Sequence, residues 1–408
     1  MKRSLSLLFA LPISALIACG AADDADPGGS SQDDTAKDAG KPADAGADAR
    51  VDASAVDAGK IDKAQLADVA ILFPMAKTAA EVDTGYLRAT SPGLGGPLLP
   101  ETVYEAVGKI GGSGPAPVGG MGTAPFANLR VVAMRIDPCF AALNPPATGA
   151  GCKNQLRLVF QELTKDGVPA ASDSGLHAFY SLSRAGLTTL TKSLIALRLA
   201  SSSGQRLGAL RPHPLVASQG LGGTMARGLR ELITRHAGKS NLFRVTTMSA
   251  TNAGATWIFH GFDITNVASA KVKPMFIPSL PNQTAEQSFF GGFTTGLEGE
   301  ATPSTSAADN FMPLANIGTA TALDAPARKA AFGALLRVEN PTKHSPDTMD
   351  CVSCHAATPS RKLIAEPKLG LSATGNVNAF VADSKWVLPS ELTATFDGSG
   401  PLNVHAFS

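Results

Sequence analysis

Between Gly20 and Lys60 the chain repeats Asp-Ala-Gly and close variants, among them Asp38-Ala39-Gly40, Asp44-Ala45-Gly46 and Asp57-Ala58-Gly59. The stretch has no aromatic residue and no apolar side chain larger than valine. Such a segment takes too little apolar surface out of water to offset the entropy of ordering its backbone. It is expected to stay disordered, so every folded element has to come from residues 61–408. Its ten aspartates against Lys37, Lys41, Arg50 and Lys60 give a charge of −6, and self-repulsion should extend it into a tether. The whole chain carries +1 and Lys2 with Arg3 supply +2, which leaves +5 for residues 61–408. Spread over a body of that length, the surplus is too small to argue for nucleic acid.

Ahead of the tether, Lys2 and Arg3 precede an apolar run from Leu5 to Ile17, which ends in Leu16-Ile17-Ala18-Cys19. The run is shorter than the roughly 20 residues that a membrane-spanning helix takes. A charged start, a short apolar core and small residues at the cut describe an export signal over residues 1–19. The ending resembles the lipobox of bacterial lipoproteins, in which the cysteine becomes the lipidated first residue of the mature chain. The resemblance implies lipidation at Cys19, a membrane contact through that lipid, and a place in the bacterial cell envelope. Gly20, rather than an aspartate, leans towards the outer membrane. An ordinary cleaved signal with an incidental cysteine is the alternative.

An exported chain meets oxidising conditions. Cys139 and Cys152 enclose a short loop-like stretch containing Pro145-Pro146 and Gly149-Ala150-Gly151, and a disulfide between them is the natural reading. A loop of this length would be stabilised by roughly 3 kcal/mol in the chain-entropy model. That role is structural.

The remaining two cysteines stand in Cys351-Val352-Ser353-Cys354-His355. The pattern C-x-x-C-H is the signature by which a c-type haem is attached. Two thiols three positions apart reach the two vinyl groups of one haem, and the next imidazole falls beneath the iron. Three other readings compete. A thioredoxin-like C-x-x-C needs a βαβ setting, and none surrounds residue 351. A zinc site with His344 wants four tetrahedral ligands, and adjacent residues rarely share one metal. A plain disulfide, or two free thiols, is the third.

The motif resembles that of c-type cytochromes. The resemblance implies covalent haem c with its iron, held by Cys351 and Cys354, with His355 as proximal ligand and single-electron transfer as the role. Many small cytochromes c take their second axial ligand from a methionine downstream, but this chain has none after Met349. His405 is the one histidine after His355, so it is the expected distal ligand, with His344 and Met312 as competitors. A redox partner protein is implied and cannot be named.

The fold class expected is α+β: an α+β domain over 61–280 and a small helix-and-loop haem region over 281–408. Strands are expected at 68–73, 129–136, 155–163, 177–182, 243–248 and 256–264 from alternating apolar residues. Helices are expected after Ser183, over Met225 to His236, and over Ala325 to Val338 with Pro326 in the first turn. Residues 91–127 and 278–320 read as irregular, and one short helix is expected near Val377–Ser384. His177 and His260 fall in strands and read as packing residues, His236 as a helix end, His213 as an exposed loop. No G-x-S-x-G, H-E-x-x-H, P-loop or G-x-G-x-x-G is present, and no catalytic residue is assigned. An envelope-anchored mono-haem electron carrier is therefore the leading expectation. The alternative is a ligand- or partner-binding lipoprotein whose haem is a sensor or accessory redox centre. A haem peroxidase is the enzymatic reading.

Overall fold

Alternating side chains lay down the strands. In 154–162, Leu156, Leu158 and Phe160 take one side, while Gln155, Arg157 and Gln161 take the other. The computed structural model describes Asp68 and residues 70–378, apart from 111–125, 138–152, 166–167, 170–173, 202–211, 251–255, 278–279, 293–295, 300–306, 341–342, 345 and 377. Cys19, the tether, Cys139, Cys152 and His405 lie outside the described residues, as does all of the expected helix near 377–384 except Asn378.

Nine strands form one sheet: β1 (Ala70–Leu72), β2 (Leu129–Asp137), β3 (Asn154–Glu162), β4 (Ser174–Leu182), β5 (Leu242–Ala250), β6 (Thr256–Asn266), β7 (Lys271–Pro274), β8 (Gln287–Gly292) and β9 (Gly296–Gly299). Their order is β1-β2-β3-β4-β5-β6-β8-β9, every pair antiparallel. Neighbours in sequence are thus neighbours in space. The long β6 shares its outer edge, with β8 along Thr256–Phe259 and β7 along Phe262–Asn266. Gly261 sits at the junction, where a Cβ would lie 3.0 Å from both Met275 Sδ and Ala285 Cβ. A side chain there would press on both, so glycine suits the close approach.

One face of the sheet is apolar and helix-covered. Five helices stand with it: α1 (Ala79–Gly85), α2 (Glu101–Ile110), α3 (Arg184–Ser201), α4 (Pro214–Gln219) and α5 (Thr224–His236). The α3 start is set by Ser183, whose Oγ accepts the Gly186 N–H at 3.0 Å. Leu190 and Leu194 of α3, Met225, Leu229 and Ile233 of α5, and Leu158, Phe160, Ala178, Tyr180 and Val245 of the sheet share one buried cluster. The Tyr180 hydroxyl, the polar tip in that cluster, donates to the Leu98 carbonyl at 2.8 Å.

A second buried cluster is built from the C-terminal elements and the sheet. It joins α6 (Ile317–Ala322), α7 (Ala325–Val338) and α8 (Cys351–Ser360) to Met248, Trp257 and Phe259 of β5 and β6. Asp324 caps α7 by accepting the Ala327 N–H at 2.8 Å, with Pro326 just inside the first turn. Pro359 lies within α8, and a π-helical turn, Arg361–Ala365, follows before α9 (Glu366–Leu369). A proline has no N–H to give to the preceding turn, and a π-turn is one way a helix takes up the mismatch.

The mixed α+β class holds. Three local expectations do not. Residues 91–127 contain α2, whose Val103 and Val107 are buried one turn apart between glycine- and proline-rich flanks that mask the period. Residues 278–320 contain β8 and β9, which join the sheet by backbone pairing rather than by an apolar pattern. The stretch after the motif is helical to Leu369, with Pro359 inside α8 and the π-turn just after it. No helix among the described residues is long and apolar enough to cross a membrane.

Candidate functional site

The residues of the motif open α8. Cys351 and Cys354 are three apart and His355 is four on from Cys351, so all three share one side of the helix. Asp350 caps this start: its Oδ2 accepts the Ser353 N–H and the Gln287 Nε2, each at 3.0 Å. Gln287 Oε1 in turn faces the Val352 N–H at 3.4 Å. A side chain of β8 thereby straps the first turn of α8 to the sheet.

Cys351 and Cys354 are free thiols, each half-buried. Burial, with the Asp350 carboxylate beside them, pushes both thiols up to about 12. They are therefore protonated at neutral pH. A reactive redox dithiol has the opposite environment, one that lowers the thiol. No three His, Cys, Asp or Glu among the described residues are grouped to hold a metal ion.

The thiols and His355 open onto a cleft holding about 430 Å³ of space, part of it open to solvent. Its enclosed part is about 40 Å³, room for a few water molecules, so a larger group would have to occupy the open part of the cleft. Its opposite wall is the second face of the sheet, with Arg157, His177, Met248 and Phe259. The Phe259 ring lies 4.8 Å from the His355 ring, centre to centre, at an interplanar angle of 45°. The His177 ring lies 6.5 Å from it at 29°.

This wall is polar, unlike the helix-covered face. Arg135 and Arg157 pair across β2 and β3, and both reach Asp137, at 2.5 Å and 3.2 Å. Burial lowers the Arg135 guanidinium to about 10; Asp137 opposes the shift and Arg157 adds to it. Arg135 also donates through Nη2 to the His344 carbonyl. Burial disfavours the Arg244 charge, but Asp263 at 2.8 Å and Asp347 at 2.6 Å outweigh it and raise its pKa. Gln155 Nε2 donates to Asp347 at 3.0 Å. The sheet therefore grips the segment ahead of α8 at His344, Asp347 and Asp350. Arg157 Nη2 is buried on the cleft wall and makes no hydrogen bond to the described residues. A buried cation with an unused donor at a cleft suits an anionic group.

The structure brings Cys351, Cys354 and His355 together. It turns His344 elsewhere: Nε2 lies 3.4 Å from Asp309 Oδ1, and Nδ1 lies 3.2 Å from Thr348 Oγ1. Met312 packs against the second cluster from a short 3-10 turn. His213 is buried, against the expectation of an exposed loop, with its backbone N–H donating to the Leu72 carbonyl at 2.8 Å. His260 is also buried, its ring nearly parallel to Phe262 at 6.3 Å. His177, read as a packing residue, is on the cleft wall instead, as are Arg157 and Met248. The signal that places His177 there is parity. It alternates with Ala178 and Tyr180 of the helix-covered face and pairs with Val159, two residues along from Arg157. No protein-family model, no curated protein and no solved structure matches the chain.

Proposed function

We propose that this chain is a mono-haem c-type cytochrome of the bacterial envelope that passes single electrons to a partner protein, anchored by lipid at Cys19 through the tether of residues 20–60. One observation carries the reading: Cys351, Cys354 and His355 share one side of a helix start, with both thiols free and protonated and the cleft in front of them. The residues present suit the group. Cys351 and Cys354 would hold the haem through thioethers to its vinyl groups, each thiol hydrogen passing to the neighbouring carbon, so no oxidant or reductant would be needed. His355 would supply a nitrogen to its iron. Phe259, packed against that imidazole, helps exclude water from it. Arg157 offers its unused donor to a haem carboxylate. When bound, the haem supplies a centre that gains or loses one electron.

The test is expression in cells that carry the cytochrome c maturation machinery. A denaturing gel stained for haem should show a band for the wild type and none for the double variant Cys351→Ala, Cys354→Ala. The band should travel with membranes, and with the soluble fraction in Cys19→Ala. A wild type without haem stain but with stoichiometric zinc would end the electron-transfer reading.

A further inference from the structure

We infer that His177 is the second axial ligand of the haem iron, opposite His355. The inference rests on the haem reading above and adds to it the state of the sixth position. That state separates an electron carrier, closed on both sides, from a gas sensor or peroxidase, which keeps one side open.

Three observations carry it. The first is distance. An imidazole nitrogen binds a first-row metal at about 2.0–2.1 Å, and the ring centre lies about 1.2 Å further on. Two imidazoles on opposite sides of one metal therefore have centres about 6.5 Å apart. The His177 and His355 ring centres are 6.5 Å apart. The second is placement. His177 and His355 belong to opposite walls of one cleft, the sheet and α8, and the cleft also holds the two thiols. A group bound through Cys351 and Cys354 has His355 on one side and the sheet on the other. The third is rigidity. β4 is an interior strand of the sheet, paired with β3 on one side and β5 on the other, and His177 is opposite Val159 and Thr246 in those pairs. The Phe179 ring, on the same face, lies 6.3 Å from the His177 ring. A ligand carried on such a strand is held in position before metal arrives, as electron transfer with little rearrangement requires.

His344 is engaged by Asp309 and Thr348. Met248 lines the same cleft and is the sulfur alternative.

The experiment is optical and paramagnetic spectroscopy of the purified, haem-loaded protein. The wild type should be low-spin with two nitrogen ligands. His177→Ala should keep its haem-stained band yet lose the low-spin spectrum and bind cyanide or carbon monoxide. Added imidazole should restore the low-spin form in that variant. His177→Met, which keeps bulk at the site, should raise the reduction potential, because sulfur favours the reduced iron. Met248→Leu should change none of these. A low-spin spectrum unchanged in His177→Ala would overturn the assignment, as would a sulfur-ligation band in the wild type that disappears in Met248→Leu. Both results require a haem-stained wild type, so they are distinct from failure of the haem reading itself.

Discussion

The two faces of the central sheet are both buried, and burial does different work on each. On one, Leu158, Phe160, Ala178 and Tyr180 share a cluster with α3 and α5. On the other, Arg135, Arg157 and His177 face α8 and the segment before it. Apolar area stabilises at about 25 cal/mol per Å² removed from water. Buried charges gain little, because the cost of stripping their water is comparable with the attraction that replaces it. The apolar face thus holds the fold, and the polar face positions a small number of groups at the cleft. A sheet that needed only to be stable would have no reason to place two arginines on one buried aspartate.

The sharpest way to break the comparison is a large-to-small change on the apolar face. Phe160→Ala should cost about 3–5 kcal/mol, read as a lowered midpoint in urea, with covalent haem still present. A loss below 1 kcal/mol would mean that this face is not the stabilising one. The next effect belongs to the polar face. Asp137→Asn leaves two buried guanidiniums without their carboxylate and should cost about 3 kcal/mol. Replacing the whole set, with Arg135→Met, Asp137→Leu and Arg157→Met, should bring stability back to within about 1 kcal/mol of the wild type. On the haem reading, the same triple variant loses one net positive charge beside the proposed cofactor, so its reduction potential should fall. If the triple variant is instead less stable than Asp137→Asn, the charges are stabilising and the contrast collapses.

The smallest effect is confined to acid. Burial disfavours the Asp309 charge, but the hydrogen bonds and charges of His344 and Arg337 outweigh it and hold its carboxyl below the usual range. In the window between its folded and unfolded values the unfolded chain binds more protons, so stability rises with pH there. The contribution is fully present at neutral pH and is lost as the pH falls below the ordinary aspartate value. Urea midpoints followed into acid should therefore drop less steeply in Asp309→Asn than in the wild type. Phe160→Ala should keep the wild-type slope, since it touches no titrating group.

Much of the architecture is legible in the sequence where a local period is strong. Leu129–Asp137, Asn154–Glu162, Thr224–His236 and Ala325–Val338 follow their apolar spacing, and the caps at Ser183 and Pro326 fall where the sequence sets them. What escapes is whatever another segment decides. β8 is a strand because β6 offers it an edge, not because Gln287–Gly292 alternates. The motif is legible as chemistry but not as the start of a helix, because its fold depends on Asp350 and on a glutamine from β8. His177 escapes for the same reason. Its own neighbours show only that it lies in a strand, and the residue it meets comes from the far end of the chain.

The strand order has a consequence in time. β1 to β6 pair each with the next along the chain, so the wall of the cleft needs no strand from beyond Asn266, although Ala70 has to find Arg135 and Ala178 has to find Val245 across long insertions. The segment that completes the cleft is synthesised afterwards. Until it arrives, the face that waits is the one carrying arginine, aspartate, glutamine and histidine, which water hydrates well. The face that would aggregate if left bare is covered by helices drawn from between the strands themselves. On the haem reading, that interval leaves the two cysteines outside the wall and within reach of whatever attaches the cofactor.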